Sequence, residues 1–214
     1  MSGPPVVVVD GVLHSYEGSA PVFTLSQNGT LVYVPANGGG RLARLAWVDR
    51  TGREELLPLS PRPYMEPRLS PDGSRLAVAE VDTDLNADIR IYDVARYTLV
   101  KRLTTSLGQD RGPVWSPGGE RIYIWSGDGG MDWKDVEGGG SANLLKEFGF
   151  PQTLSPDGRT LVYVTTTAET GHDLWTVSVD GGTTAALFDT SFSEAAAAIS
   201  PDGQWIAYAS TETG

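Results

Sequence analysis

The chain has 214 residues, of which 40% are hydrophobic, with 26 glycines and 14 prolines, a composition that fits a turn-rich all-β globule with a sizeable core. Its net charge of −11 argues against nucleic acid as the main partner, because phosphate binding needs a basic stripe, and the absence of cysteine excludes disulfides and thiolate metal sites. No apolar run approaches the roughly 18 residues of a membrane span, so no membrane insertion is expected.

The first element is a hairpin. Residues 6–9, the pair Asp10-Gly11 and residues 12–16 read as strand, two-residue turn and strand. The apolar stretch 4–9 is too short for a secretory signal and lacks a basic flank. Next comes Leu25-Ser26-Gln27-Asn28-Gly29, the first of five Ser-x-x-Gly turns. The others are Leu69-Ser70-Pro71-Asp72-Gly73, Trp115-Ser116-Pro117-Gly118-Gly119, Leu154-Ser155-Pro156-Asp157-Gly158 and Ile199-Ser200-Pro201-Asp202-Gly203. Proline presets the first corner, Asp or Asn tolerates the second, and glycine takes the left-handed conformation that closes the hairpin. The recurring Asp72, Asp157 and Asp202 are therefore read as turn chemistry.

Each turn runs into a β-branched strand: 31–34, 76–78, 122–124, 161–164 and 206–208. In the first four repeats a second strand follows, at 45–49, 89–93, 131–135 and 174–178. The turn glycines are spaced by 44, 46, 39 and 45 residues, within the range of β-propeller blades. The expected fold is an all-β propeller of five four-stranded blades in a single domain, residues 1–214. The last repeat lacks its two outer strands, and strands 6–9 and 12–16 are expected to close it against 195–209, leaving no open sheet edge.

The Ser-Pro-Asp-Gly hairpins with strands such as Ile89-Arg90-Ile91-Tyr92-Asp93 resemble the WD-like propeller repeats of TolB-like proteins. The stretch from Gly29-Thr30-Leu31-Val32-Tyr33-Val34 through Trp47-Val48-Asp49-Arg50 to Pro61-Arg62-Pro63-Tyr64 is similar to the extracytoplasmic propeller of bacterial receptor-like Ser/Thr kinases. That resemblance implies a sensory, non-catalytic propeller outside the cytoplasm. Localisation is not readable from the residues themselves. The kinase-linked propellers usually continue into further blades, which keeps open the alternative that this chain is part of a longer ring.

In a propeller, the innermost strand of each blade precedes its turn, and its start opens toward the channel mouth where ligands sit. Reading back from each turn singles out Tyr64, Glu66 and Arg68; Asp110 and Arg111; Gln152; and Glu194. One reading is a shallow polar pocket for a sugar or a peptide end, lined by Tyr64, Arg68, Arg111, Gln152 and Trp125, with Phe150 as a further stacking surface. The competing reading is that Glu66, Arg68 and Arg111 neutralise one another. A third is a glycosidase built on Glu66, Glu194 and Asp110, since two carboxylates at the right separation cleave a glycosidic bond. An assembly module that holds a protein partner is the remaining class. Metal is not expected: the chain has two histidines, His14 and His172, and the run 82–88 lacks the glycine and closing glutamate of a calcium loop. No Gly-x-Ser-x-Gly elbow accompanies His172-Asp173, and no cofactor is implied.

Overall fold

A computed structural model of the chain describes residue 12 and residues 23–25, 31–33, 42–188 and 190–212. In the four described turns the serine hydroxyl has two tasks. It accepts the backbone N–H five residues on, as Ser70 does from Arg75 at 2.9 Å, and in the Asp-bearing turns it donates to the aspartate two residues on. The turn glycines at 73, 119, 158 and 203 all have φ between 71° and 79°, which only glycine adopts without strain. Ser116-Pro117-Gly118-Gly119 has no aspartate, and the Glu120 carboxylate takes its place, accepting the Ser116 hydroxyl at 3.3 Å.

Each turn joins the two innermost strands of an antiparallel sheet. The first blade holds β1 (Phe23–Leu25), β2 (Leu31–Tyr33), β3 (Ala46–Val48) and β4 (Glu54–Leu56). The second holds β5 (Tyr64–Leu69), β6 (Arg75–Val81), β7 (Ala87–Asp93) and β8 (Thr98–Arg102). The third holds β9 (Arg111–Trp115), β10 (Arg121–Ser126), β11 (Gly130–Asp135) and β12 (Ser141–Leu145). The fourth holds β13 (Phe150–Leu154), β14 (Thr160–Thr167), β15 (Gly171–Ser178) and β16 (Thr184–Ala186). A last sheet has two strands, β17 (Glu194–Ile199) and β18 (Ile206–Ser210).

The strands expected after each turn are all present, and so are the second strands of the first four repeats. The count of blades differs: the described residues form four complete blades and a two-stranded sheet, not five complete blades. The closing hairpin expected at 6–9 and 12–16 lies outside the described residues except for Val12. That residue packs against Tyr33, Ala46 and Val48, on the side of the first blade turned away from the second.

The core lies between blades, not within them. Val32 and Leu45 meet Tyr64, Leu76 and Val78; Ala77, Ile89 and Ile91 meet Trp115, Ile122 and Ile124; Tyr123 and Met131 meet Leu161, Tyr163 and Val177. Val162 and Leu174 then meet Ala197 and Ile206. Both faces of the middle strands are covered, so these strands are apolar nearly throughout, whereas the outer strands β4, β8, β12 and β16 are largely exposed. The innermost strands β1, β5, β9, β13 and β17 neighbour one another in sequence order, giving the radial arrangement.

Candidate functional site

Strand direction sorts the loops onto two faces. The Ser-x-x-Gly turns occupy one. The starts of β5, β9, β13 and β17, the loops 82–86 and 127–129, and the connections 103–110 and 146–149 occupy the other, called here the connection face.

On that face the inner strands β5, β9 and β17 each carry a bulge at the same repeat position. In β5 the residues Glu66 and Pro67 stand opposite the single Val78; in β9 Gly112 and Pro113 stand opposite Ile124; in β17 Ala196 and Ala197 stand opposite Tyr208. The first residue of each pair has positive φ: 54° at Glu66, 63° at Gly112 and 57° at Ala196. A bulge of this kind bends the strand and re-aims the side chains beside it. Blade four has Pro151 at this place and shifts register at Gln152 instead.

The bulge turns Glu66 toward the third blade. Its carboxylate accepts from Arg111 Nη2 at 2.5 Å, Arg111 Nε at 3.2 Å and the Gly112 backbone N–H at 2.7 Å. The pair is mostly buried, so Glu66 and Arg111 neutralise each other across a blade junction. Gly112 is needed twice, for its backbone angle and because a Cβ there would lie 2.9 Å from the Phe150 ring. The Arg111 guanidinium lies 5.8 Å from the centre of that ring. Trp125 stands beside it, 6.3 Å from Phe150 and 5.8 Å edge-on from Phe148. The Trp125 indole N–H is buried without an acceptor among the described residues.

Of the expected site residues, Glu66, Arg111 and Trp125 come together with Phe150, and the rest take other positions. Tyr64 is a core residue between the first two blades, its hydroxyl donating to the Ser60 carbonyl, so its ring offers no stacking surface. Arg68 donates to the carbonyls of Phe23 and Pro67 and ties β5 to β1; burial pulls its pKa below the ordinary value, against the pull of Glu66. Among the described residues Gln152 donates only to the nearby Phe150 carbonyl, at 3.4 Å. Asp110 is buried and accepts the Ser106 hydroxyl at 2.8 Å and the Gly127 N–H at 3.2 Å. Glu194, at the equivalent place in the last sheet, is buried and accepts the Thr190 hydroxyl. Ser106 and Thr190 each stand ten residues before their turn serine, so this is a repeated device for fixing the connection to the inner strand.

Sequence reading missed Phe148, which stacks on Trp125 from a connection with no periodic pattern, and the left-handed backbone at Glu66. Aligning the repeats on their serines would have exposed the second, because a glycine occupies that position in blade three.

In the loop 82–86 one oxygen of Asp82 is engaged within the loop itself. Asp82 Oδ1 accepts the N–H groups of Asp84 and Asn86 at 2.9 and 3.0 Å, an internal cap. His172 Nδ1 lies 3.3 Å from Thr166 Oγ1, whereas Asp173 accepts hydroxyls from Thr167 and Thr170. Among the described residues no group of three or more His, Asp or Glu is placed to hold a metal ion.

A family model described as TolB beta propeller domain matches residues 50–214. Among solved structures, TolB from Acinetobacter baumannii is similar over 86% of this chain and 47% of that one, with 21% identity and a TM-score of 0.70. A TolB-like protein from Agrobacterium tumefaciens is similar over 80% of this chain and 65% of that one, with 23% identity and a TM-score of 0.68. The tricorn protease matches 89% of this chain with 19% of its own length, at 16% identity and a TM-score of 0.60. At these identities the likenesses concern the fold, and the chain spans about half to two thirds of the TolB chains it matches.

Proposed function

The chain belongs to the TolB β-propeller domain family, and from that premise we propose that it is a non-catalytic, sensor-type binding propeller that takes a peptide end, a sugar or a partner protein at the connection-face mouth. The observation that carries this reading is the engagement of the three acids a hydrolase would need. Glu66 is held by Arg111 and Gly112, Asp110 by Ser106 and Gly127, and Glu194 by Thr190. A general acid or nucleophile must have its oxygen free to approach the scissile bond. These carboxylates brace blade junctions and connections, and what they leave facing the mouth is the Arg111, Phe150 and Trp125 surface. An aromatic pair suits stacking on a sugar or peptide group.

The resemblance of the first blade to kinase-linked propellers supports the sensory role. The same reading includes closure of the last sheet by 6–9 and 12–16, supported by Val12 on the open side of the first blade.

The test is a turnover screen on chromogenic glycosides and esters, run beside thermal-shift measurements with oligosaccharides and short peptides. No turnover is expected, and any ligand-induced rise in Tm should vanish in Trp125→Ala. Turnover that disappears in Glu66→Gln or Glu194→Gln while those variants stay folded would replace this reading with the hydrolase one.

A further inference from the structure

Beside the mouth, the loop crests of blades two to four carry a second surface that the channel residues do not use. Leu107 is fully exposed at the tip of the connection 103–110, Leu85 is 47% exposed on the loop 82–86, and Phe148 is 40% exposed on the connection 146–149. The three crests are tied into one surface. Asn86 Nδ2 donates to the Ser106 carbonyl at 2.8 Å and Gln109 Nε2 to the Leu85 carbonyl at 3.2 Å. Gly108 and Gly127 approach so closely that a Cβ on Gly108 would fall 2.5 Å from the Gly127 Cα. Phe148 then meets the adjoining Trp125.

Leu85 is the telling residue. Its φ is +65°, a conformation unfavourable to leucine and natural to glycine or asparagine. Packing does not explain a leucine there, because half of it is in solvent. Strain at an exposed loop tip points to a use for the side chain. The charge around the crests supplies the other half of the argument. Asp82, Asp84, Asp128 and Glu147 are exposed on these loops, against the single lysine Lys146.

We infer that the crests of blades two to four form a docking surface for an extended protein segment in which apolar side chains alternate with lysine or arginine. Leu85, Leu107 and Phe148 meet the apolar side chains, and the surrounding carboxylates meet the cations and speed encounter. This inference rests on the reading of the chain as a binding propeller and adds the partner's chemistry. Anionic lipid, the other apolar surface that loop tips enter, is opposed by the same four carboxylates.

The experiment is selection of a random 12-residue phage-displayed peptide library on the whole chain, with affinities of the enriched peptides measured by fluorescence anisotropy. The expected peptides combine Leu, Ile or Phe with Lys or Arg, bind at least tenfold more weakly to Leu85→Gly/Leu107→Ser/Phe148→Ser, and weaken with added salt. Glycine at 85 relaxes the backbone, so the variant should keep its melting temperature. Should it fail to fold, Asp84→Asn/Asp128→Asn/Glu147→Gln, which leaves the apolar tips intact, is expected to lose at least tenfold at low salt. Peptides of acidic composition, peptides indifferent to both variants, or no enrichment overturn the inference. So does tight binding of phosphatidylcholine vesicles that is lost in the triple apolar variant. Peptides lost in Arg111→Ala but retained in both loop variants overturn it while leaving the mouth reading intact.

Discussion

Asp72 accepts the Ser70 hydroxyl at 2.6 Å, the Ser74 N–H at 3.0 Å and the Ser74 hydroxyl at 2.7 Å, and these bonds, the Ser70 one foremost, hold its pKa down at about 2 against an ordinary 3.8. Asp157 and Asp202 shift the same way, each chiefly through its serine hydroxyl. A carboxyl whose pKa is lower folded than unfolded binds fewer protons in the folded chain. The stability it contributes is complete above the unfolded value and is lost as pH falls through the folded one. The melting temperature is therefore expected to drop between pH 4 and pH 2, and the drop should shrink in Asp72→Asn/Asp157→Asn/Asp202→Asn, as thermal melts across that range will show. Glu66 is a different case, since its partner is mostly buried. Glu66→Gln leaves the Arg111 charge uncompensated and is expected to cost about 3 kcal/mol in urea unfolding. Recurrence in the sequence identified the aspartates as turn residues. Nothing in it distinguished Glu66 as an interblade clamp from Glu66 as an acid, because the two roles differ in where one side chain points.

The bulge on the inner strands makes a sharper test at the level of the element, because three residues of different character hold one backbone conformation. Gly112 holds it freely, Glu66 holds it with three hydrogen bonds from the third blade, and Ala196 holds it with a methyl group alone. Ala196→Gly is therefore expected to stabilise the chain by about 1 kcal/mol, and Gly112→Ala to destabilise it, since the new methyl also meets Phe150. A Tm that falls in Ala196→Gly would show that the bulge is not strained there. The degenerate turn at 116–119 gives a second comparison. A Cβ on Gly118 would lie on the Glu120 carboxylate, which fills the place of the aspartate found in the other turns. Glu120→Ala should cost about 1 kcal/mol, and Gly118→Asp should restore it in that background but not in the wild-type chain, a coupling that a double-mutant cycle measures. Turn chemistry and buried apolar strands were legible in the sequence for the same reason: each is a local pattern repeated four or five times. The outer strands were not, because β4 and β16 are exposed throughout and carry no alternation to read.

For the whole molecule, the last sheet is a place where a repeat position and its surroundings disagree. Six to nine residues after the turn serine, blade two places Leu76, Ala77, Val78 and Ala79 and blade four places Leu161, Val162, Tyr163 and Val164, all buried. In the last sheet Tyr208 is 42% exposed and Trp205, just before these positions, is 71% exposed. Among the described residues the strand there has no neighbour of the kind that β7 and β15 supply to their blades, and an uncovered apolar edge strand invites pairing. The outer strands give a second clue. Leu57, Leu103 and Leu187 each stand 13 residues before a turn serine, donate their N–H groups to the carbonyls of Leu45, Ile89 and Leu174 in or just before the third strand of their own blades, and pack into the junction with the next. Leu13 stands 13 residues before Ser26, and its neighbour Val12 lies against the open side of the first blade. By that spacing the proposed closure would use the N-terminal segment as the outer part of a blade preceding the first. The chain has no cysteine, so a single engineered pair reports on this directly. Ala207→Cys combined in turn with Val6→Cys, Val7→Cys, Val8→Cys and Val9→Cys is expected to cross-link at one position only, the one facing Ala207, because directly facing residues of neighbouring strands come close enough for a disulfide and diagonal ones do not. Deleting residues 1–16 should then lower Tm and broaden the transition. No cross-link at any of the four positions, together with an unchanged melt after the deletion, would mean that the last sheet is completed by something other than this segment.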